Sequence, residues 1–518
     1  MMRYFALLPL LAAAGSVHAA EDSYQPRPKG TLTFSKDVAL IVFANCAECH
    51  RPGEVAPFSL LTYRDVQKRA KLIQKLTSDR QMPPWKAAPG HGDFLGARRL
   101  TADQIGVLKQ WADEGAAEGD AKDLPKPPTF VEGWALGKPD LVVTMAKPFA
   151  VPAEGNDIYR NFIIPMTVPE GKYLSAVEFR PGNRRVVHHA ALGIDDLGVA
   201  RKLDGQDGQP GFTRFSIPGQ LFPGPMAAWV PGREARPLPE QFSLPWKKNT
   251  DLILQLHLHP SGKAETEQST LGFYFTDKPP QRSMYDVVLI DRKIAIEPGD
   301  KNYRTRDQLT LPVDTEVYGI FPHMHLIGKE IRVTATLPDG KKQPLLYIDA
   351  WDFKWQNYYQ YAAPVKLPKG TQLLMECVHD NSAENPSNPN TPPKRVTWGE
   401  QTADEMAAAM LQISPLRESD RQALTQALGF RIVGRITAVD PATGKPTAEE
   451  PSPFVAEALN RLDKDKDGKL SLDELKAAPR TTGVDPETLL KKFDKDGDGK
   501  LDAKELAEAI RTLLAERK

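Results

Sequence analysis

Across 518 residues the chain has only three cysteines, Cys46, Cys49 and Cys377. Two of them share one short motif and the third has no partner, so a disulfide framework is excluded. The folded parts must be held by apolar cores or by metals. Net charge is also missing: Lys plus Arg and Asp plus Glu are 67 each. That balance gives no electrostatic case for nucleic acid or an anionic membrane surface as partner. Long apolar runs are scarce too. Only Phe5 to Gly15 stands out, after Arg3 and before the small-residue pattern Val17-His18-Ala19. It is short for a bilayer and reads as a signal peptide over residues 1–19, which places the mature protein in the periplasm or outside the cell. No later stretch reads as a membrane span.

What is abundant is proline, at 46 residues, which favours turn-rich β structure over long helices. The length itself predicts several domains. Residues 35–120 alternate helical patterns with irregular stretches. There Thr101 to Gly115 reads as a helix capped by Thr101, with Ile105, Leu108 and Trp111 on one face. Residues 117–128 read as a linker. Residues 130–415 carry short β-branched and aromatic runs bounded by Pro, Gly and Asn, such as 142–145, 186–194, 252–258, 271–275, 317–321 and 372–378. Such spacing suggests antiparallel sandwiches, and the length suggests two, 130–280 and 281–415, joined near Pro279-Pro280. A second linker, 438–453, precedes a repeated acidic pattern over 454–518.

Cys46-Ala-Glu-Cys49-His50 is the signature of c-type haem attachment. The thiols would form thioether links to the porphyrin, and His50 would be the proximal iron ligand. A zinc site would need more ligands nearby. Met82 is the favoured sixth ligand and His91 its rival; a thioether there would raise the reduction potential. Residues 34–120 resemble a small single-haem cytochrome c domain.

Nine of the ten histidines lie beyond the N-terminal segment, and six gather in three strand-like runs: His188-His189, His257-Leu-His259 and His323-Met-His325. A His-x-His pair on a strand puts both rings on one face. Adjacent histidines on a regular strand face opposite ways, so a shared metal at His188 and His189 requires the strand to end or bulge. Imidazoles with a thioether and no thiolate suit copper, with zinc as the alternative.

Arg185-Val-Val-His-His, Leu254-Gln-Leu-His-Leu-His-Pro, Pro322-His-Met-His-Leu-Ile-Gly-Lys and Thr402-Ala-Asp-Glu-Met stand in the order found in the copper type II, ascorbate-dependent monooxygenases. Residues 135–415 resemble that family, which includes peptidylglycine hydroxylase and dopamine β-hydroxylase. The resemblance implies two nine-stranded jelly rolls with one copper on each. His188, His189 and His257 match the electron-transfer copper ligands; His323, His325 and Met406 match those of the oxygen-binding copper. His259 is an extra histidine beside the first set. Met375 and Met410 are rival thioethers outside the Asp-Glu-Met context. Two features depart from the family: its disulfides are absent, and Phe321, Ala408 and Met410 stand where peptidylglycine hydroxylase anchors a substrate carboxylate. An apolar substrate is the expectation. By local propensity, Met406-Ala-Ala-Ala-Met410 prefers helix, whereas the family would make it a strand.

The C-terminal repeat has Asp463, Asp465, Asp467, Gly468, Ser471 and Glu474 at places 1, 3, 5, 6, 9 and 12 of one loop, then Asp494, Asp496, Asp498, Gly499, Asp502 and Glu505 in the next. Lys469 and Lys500 would give backbone carbonyls, completing two EF-hand calcium loops, which Leu470 and Leu501 can pair through a short strand. A dockerin repeat, the other reading, usually ends in Asp. The fold class expected is therefore multidomain: an all-α cytochrome c, tandem mainly-β jelly rolls and an α-helical EF-hand pair. The cofactors expected are haem c, two copper ions and two calcium ions. The partners expected are O2, a small-molecule substrate and an external electron donor. The competing reading is a non-catalytic electron-transfer or copper-handling protein.

Overall fold

The computed structural model describes residues 24–428 apart from short breaks (55, 131–132, 196–197, 214–219, 223, 232, 234, 247–249 and 400), then 455, 459, 462–477 and 485–515. The segments read as signal peptide and second linker lie outside the described residues. The chain divides into two compact units: residues up to 85 with 96–133, and residues 86–95 with everything from 134 onward.

The first unit is helical: α1 (Ala39–Asn45), α2 (Tyr63–Gln67), α3 (Ala70–Ser78) and α4 (Ala102–Asp113). Thr101 does cap α4. Its hydroxyl accepts from the Gln104 amide at 3.1 Å, and Gln104 Oε1 accepts from the Thr101 amide at 2.9 Å. Such a reciprocal cap stabilises a helix by about 1 kcal/mol. Leu108 and Trp111 on α4 pack with Phe34, Val38 and Val42 in one buried core. Gly106 leaves room for Tyr24, whose ring would lie 2.0 Å from an added Cβ.

Residues 86–95 depart from the sequence reading, which placed them in the helical piece. They pair instead with the second unit, through bridges Ala87–Ile348 and Phe94–Tyr361. The Ala88 amide donates to the Tyr347 carbonyl and the Leu95 amide to the Gln360 carbonyl, each at 2.8 Å. Pro83, Pro84 and Pro89 keep this stretch out of helix, and its extended backbone needs partners elsewhere.

The second unit is mostly β, and its named sheets are antiparallel throughout. The first set of strands is β1 (Leu141–Thr144), β2 (Phe149–Val151), β3 (Ile158–Ile164), β4 (Tyr173–Arg180), β5 (Val187–Asp195), β6 (Phe212–Thr213), β7 (Gln220–Leu221), β8 (Ala228–Trp229), β9 (Asp251–Leu258), β10 (Glu265–Glu267) and β11 (Thr270–Thr276). They form sheets β1-β11-β4 and β6-β3-β9-β5-β7, with β8 on β5 and a small β10-β2 pair. Phe162, Leu192, Leu254 and Leu256 from one sheet and Leu174, Val177 and Phe273 from the other fill the core between them.

The second set is β12 (Tyr285–Asp291), β13 (Ala295–Ile296), β14 (Tyr303–Thr310), β15 (Thr315–Met324), β16 (Gly328–Thr336), β17 (Lys342–Ile348), β18 (Tyr359–Leu367), β19 (Gln372–His379), β20 (Val396–Thr397) and β21 (Ala407–Pro415). Its two main sheets run β12-β21-β15-β18 and β14-β19-β16-β17. Pro279-Pro280 falls between the last strand of one set and the first of the other. Tyr318 joins the sets: its ring packs edge-on against Phe242 at 5.0 Å, and its hydroxyl receives Gln241 and Arg282 at 3.0 Å each.

The segment Ala407–Pro415 is strand, against its helix-leaning composition. It lies between β12 and β15 and hydrogen-bonds to both. Two ladders outweigh a propensity difference of a few tenths of a kcal/mol per residue. At the C-terminus, β22 (Leu470–Ser471) and β23 (Lys500–Leu501) pair with Leu470 opposite Leu501, between helices 472–477, 486–493 and 503–515.

Candidate metal centres

The first centre depends on a bulge. β5 and β9 pair Val187 with Leu258 and then His189 with His257, so His188 is one residue too many. The bulge cancels the alternation that would point His188 and His189 to opposite faces. All three rings meet: centroids are 5.5 Å apart for His188 and His189, and 4.7 Å from each to His257. Nδ1 of His189 lies 3.3 Å from Nδ1 of His188 and 3.2 Å from Nδ1 of His257.

The His257 tautomer is fixed. Its Nε2–H donates to Asp157 Oδ2 at 2.7 Å, leaving Nδ1 as a bare lone pair. Asp157 Oδ1 takes the Nδ1–H of His259 at 2.6 Å. His259 thus braces the carboxylate and stays outside the cluster. Burial and the neighbouring imidazoles lower His188 to about 4 and hold His189 well below its usual value. Three rings with converging Nδ1 atoms fit a cation held by nitrogen.

The second centre follows from register. Phe321 pairs with Met410, His323 with Ala408 and Met324 with Ala407. Continuing the ladder sets His325 opposite Met406. His323, His325 and Met406 therefore share one face, with Phe321, Met410 and Val288 one row further along. Met375 is buried on β19 in the other sheet and Met410 is two rows from His325, so neither rival thioether replaces Met406.

Both histidines here carry a hydrogen on Nδ1. His323 donates it to Gln356 Oε1 at 2.6 Å, and His325 donates it to the Asp404 carbonyl at 3.1 Å. Nε2 of each is then the free lone pair, and Nε2 of His323 is buried with no hydrogen-bond partner. Burial first, then His325, lowers His323 to about 4. An orphaned buried nitrogen in a neutral ring, beside a second imidazole and a thioether, fits a soft cation.

Four supporting residues escaped the sequence reading. Besides Asp157 and Gln356 there is Glu405, fully buried, whose Oε1 accepts the amides of His325 at 2.6 Å and Met406 at 2.8 Å. Burial pushes its carboxyl up, but His379 and the His325 amide outweigh that and hold it below the usual range. Tyr159 is the fourth: it stacks on His257 at 4.3 Å and its hydroxyl bonds Thr402. The link runs from the first set of strands to the loop that leads into Met406.

The Cys46–His50 turn follows α1. Burial, then Cys49, pushes the Cys46 thiol up to about 12. Burial also raises Cys49, and both thiols are unpaired. His50 donates Nδ1–H to the Phe58 carbonyl at 3.1 Å, which leaves Nε2 as the ring's other nitrogen. Met82 is half-buried on the loop after α3 in the same unit. His91 lies in the segment that joins the second unit, with Nδ1 on the Pro89 carbonyl and its ring 5.1 Å from Tyr347.

In the C-terminal loops, carboxylate oxygens of Asp463, Asp465 and Glu474, and of Asp494, Asp496 and Glu505, converge as two groups. Asp467 and Asp498 stand beside them. The Asp463 carboxylate accepts from the amides of Asp467 and Gly468, as a loop folded around a cation requires.

Residues 454–478 and 487–510 match the family model described as EF hand. The C-terminal pair is a pair of EF hands. Its acidic loops support calcium binding. A curated relative, MOXD1 homolog 1 of Drosophila melanogaster, is 22% identical over 210 residues. The match takes in 37% of this chain and spans 28% of that protein. Among solved structures, the VP2 subviral particle of infectious bursal disease virus matches at 9% identity and a TM-score of 0.17, covering 56% of this chain and 74% of that one. PNGF-II matches at 10% and 0.24, covering 53% and 65%. Scores that low carry no argument about this chain.

Proposed function

We propose that the chain is a periplasmic copper-dependent monooxygenase, an oxidoreductase that hydroxylates a C–H bond of an apolar small molecule and draws electrons through a covalently attached haem c. The observation that carries the reading is the pair of histidine clusters: the Nδ1 atoms of His188, His189 and His257 converge, that of His257 left bare by Asp157, and the Nε2 atoms of His323 and His325 are left bare beside Met406. The motif order and the stretch shared with MOXD1 homolog 1 support it.

The net reaction, R–H with O2, two electrons and two protons giving R–OH and water, exceeds what side chains can do alone. Copper at both centres would supply the one-electron steps and the activation of O2. The chain's own residues do the rest. Asp157, Gln356 and the Asp404 carbonyl hold the imidazoles in ligand tautomers. Glu405 fixes the backbone of His325 and Met406. Phe321 and Met410 present an apolar wall one row from His323, for the substrate. Cys46, Cys49, His50 and Met82 would hold the haem, which would supply single electrons from an external donor.

The test is oxygen uptake by the copper-loaded, reduced protein against aromatic, aliphatic and peptide compounds, with the haem band followed in parallel. Uptake with one class, lost in His323→Ala, is the expected result. No uptake with any compound, and haem reoxidation no faster than in His323→Ala, would sink the proposal and leave a non-catalytic carrier.

A further inference from the structure

The seventh place of each EF-hand loop holds a lysine, Lys469 and Lys500. In an EF hand that place serves its own loop through the backbone carbonyl, so the side chain is free to go elsewhere. Here both ammonium groups cross over. The β22–β23 pairing sets the loops side by side. Lys469 Nζ lies 3.1 Å from Asp496 Oδ2 and also contacts Asp498 Oδ2. Lys500 Nζ lies 3.3 Å from Asp465 Oδ2 and also contacts Asp467 Oδ2. Each lysine therefore meets the third and fifth places of the opposite loop.

The two oxygens of each carboxylate have separate uses. Oδ1 of Asp465 and Asp467 accepts the loop's own amides, from Asp467 and Lys469. Oδ1 of Asp496 and Asp498 does the same with the amides of Asp498 and Lys500. The crossing lysines take Oδ2 in all four. The backbone shapes each loop, while the neighbouring loop supplies a counter-charge to the carboxylates that must neutralise a divalent ion.

We propose that Lys469 and Lys500 set the calcium affinity of the pair by crossed charge compensation, Lys469 weakening the second loop and Lys500 the first. The proposal rests on the EF-hand reading of these loops. At about 6 Å in water a unit charge opposes a dication by about a factor of ten in affinity, and salt erodes the effect. The same pairs add little to fold stability, because exposed ion pairs are weak.

The experiment is a calorimetric calcium titration of the full chain in two backgrounds. Glu474→Gln disables the first loop and Glu505→Gln the second, by removing the bidentate twelfth ligand. With the first loop disabled, Lys469→Gln should tighten the remaining site several-fold, while Lys500→Gln changes it much less. With the second loop disabled, the two substitutions should exchange effects. Lys469→Arg should keep the parental affinity, and about 0.5 M salt should erase the difference. An effect confined to each lysine's own loop, no change in either background, or weaker binding would overturn the proposal. If the unsubstituted chain binds no calcium at all, the EF-hand reading falls with it. Circular dichroism of each variant separates a lost site from a misfolded one.

Discussion

Glu405 offers the sharpest test of how the second centre is built. One carboxylate oxygen accepts two amides, those of His325 and Met406, and the residue is fully buried. Glu405→Ala leaves two buried N–H groups without an acceptor. Each costs about 1–3 kcal/mol, so the pair costs about 2–6 kcal/mol, enough to unfold the second set of strands in a marginal protein. Glu405→Gln is the informative variant. Its amide oxygen can still accept both N–H groups, so the fold should survive within about 1 kcal/mol. What it loses is the negative charge, opposite His379 at 3.7 Å and one residue from Met406. Copper affinity at His323, His325 and Met406 should then fall roughly ten- to a hundredfold, the usual scale for removing an outer partner. Equilibrium dialysis against a copper chelator measures the affinity, and near-ultraviolet circular dichroism measures the fold. Native copper affinity in Glu405→Gln, or a native melting temperature in Glu405→Ala, would refute this account of Glu405.

Three further outcomes follow from the same geometry. Burial raises Asp286 to about 6, and Gln412 donates to it at 3.1 Å. Because the folded value lies above the unfolded one, stability is greatest below about pH 4 and is lost as pH rises through about 6. The loss is at most about 3 kcal/mol, and urea melts of Asp286→Asn should show it recovered at pH 7.5 but absent at pH 4. Asp157→Asn keeps the size of the side chain but can donate to His257 Nε2, moving the ring hydrogen to Nδ1. Copper at the first centre should weaken at least tenfold, with an altered copper electron-spin spectrum, while the second centre keeps its metal. Gly319→Ala would put a Cβ 2.1 Å from the Tyr358 hydroxyl. It should break the 2.6 Å bond from that hydroxyl to Gln412 and lower stability by about 1–3 kcal/mol in thermal melts.

The motifs were easier to read from the sequence than the residues that hold them in place. Two adjacent histidines that share a task demand a bulge, and β5 has one between Val187 and His189. The calcium loops were legible because all their ligands fall within twelve consecutive residues. Met406 was harder: local propensity pointed to helix, and only pairing with both β12 and β15 makes its neighbourhood a strand. Glu405 stood inside the Asp-Glu-Met motif, yet its bond to the His325 amide was not legible there, and Gln356 and Asp157 could not be read at all. Gln356, Glu405 and Asp157 lie 33, 80 and 100 residues from the histidines they hold, too far apart for any local pattern to join them. Residues 86–95 failed for a related reason: a proline-rich stretch says what it will not form, not what it will pair with.

That segment has a practical consequence. Modules strung on a chain can usually be separated by cutting one linker. Here the chain passes between its two compact units near residues 85, 95 and 133. A protease that cuts after 133 frees 134–518 covalently, but residues 86–95, whose amides pair with the carbonyls of Tyr347 and Gln360, stay on the other fragment. Deleting everything before 130, the natural choice for expressing the β part alone, would also strip away Ala88 and Leu95, whose amides reach the carbonyls of Tyr347 and Gln360, and the Phe94 ring 5.0 Å from Tyr361. The β part is thus built partly from the first hundred residues, and a clean excision must carry 86–95 with it, as a circularly permuted or co-expressed piece.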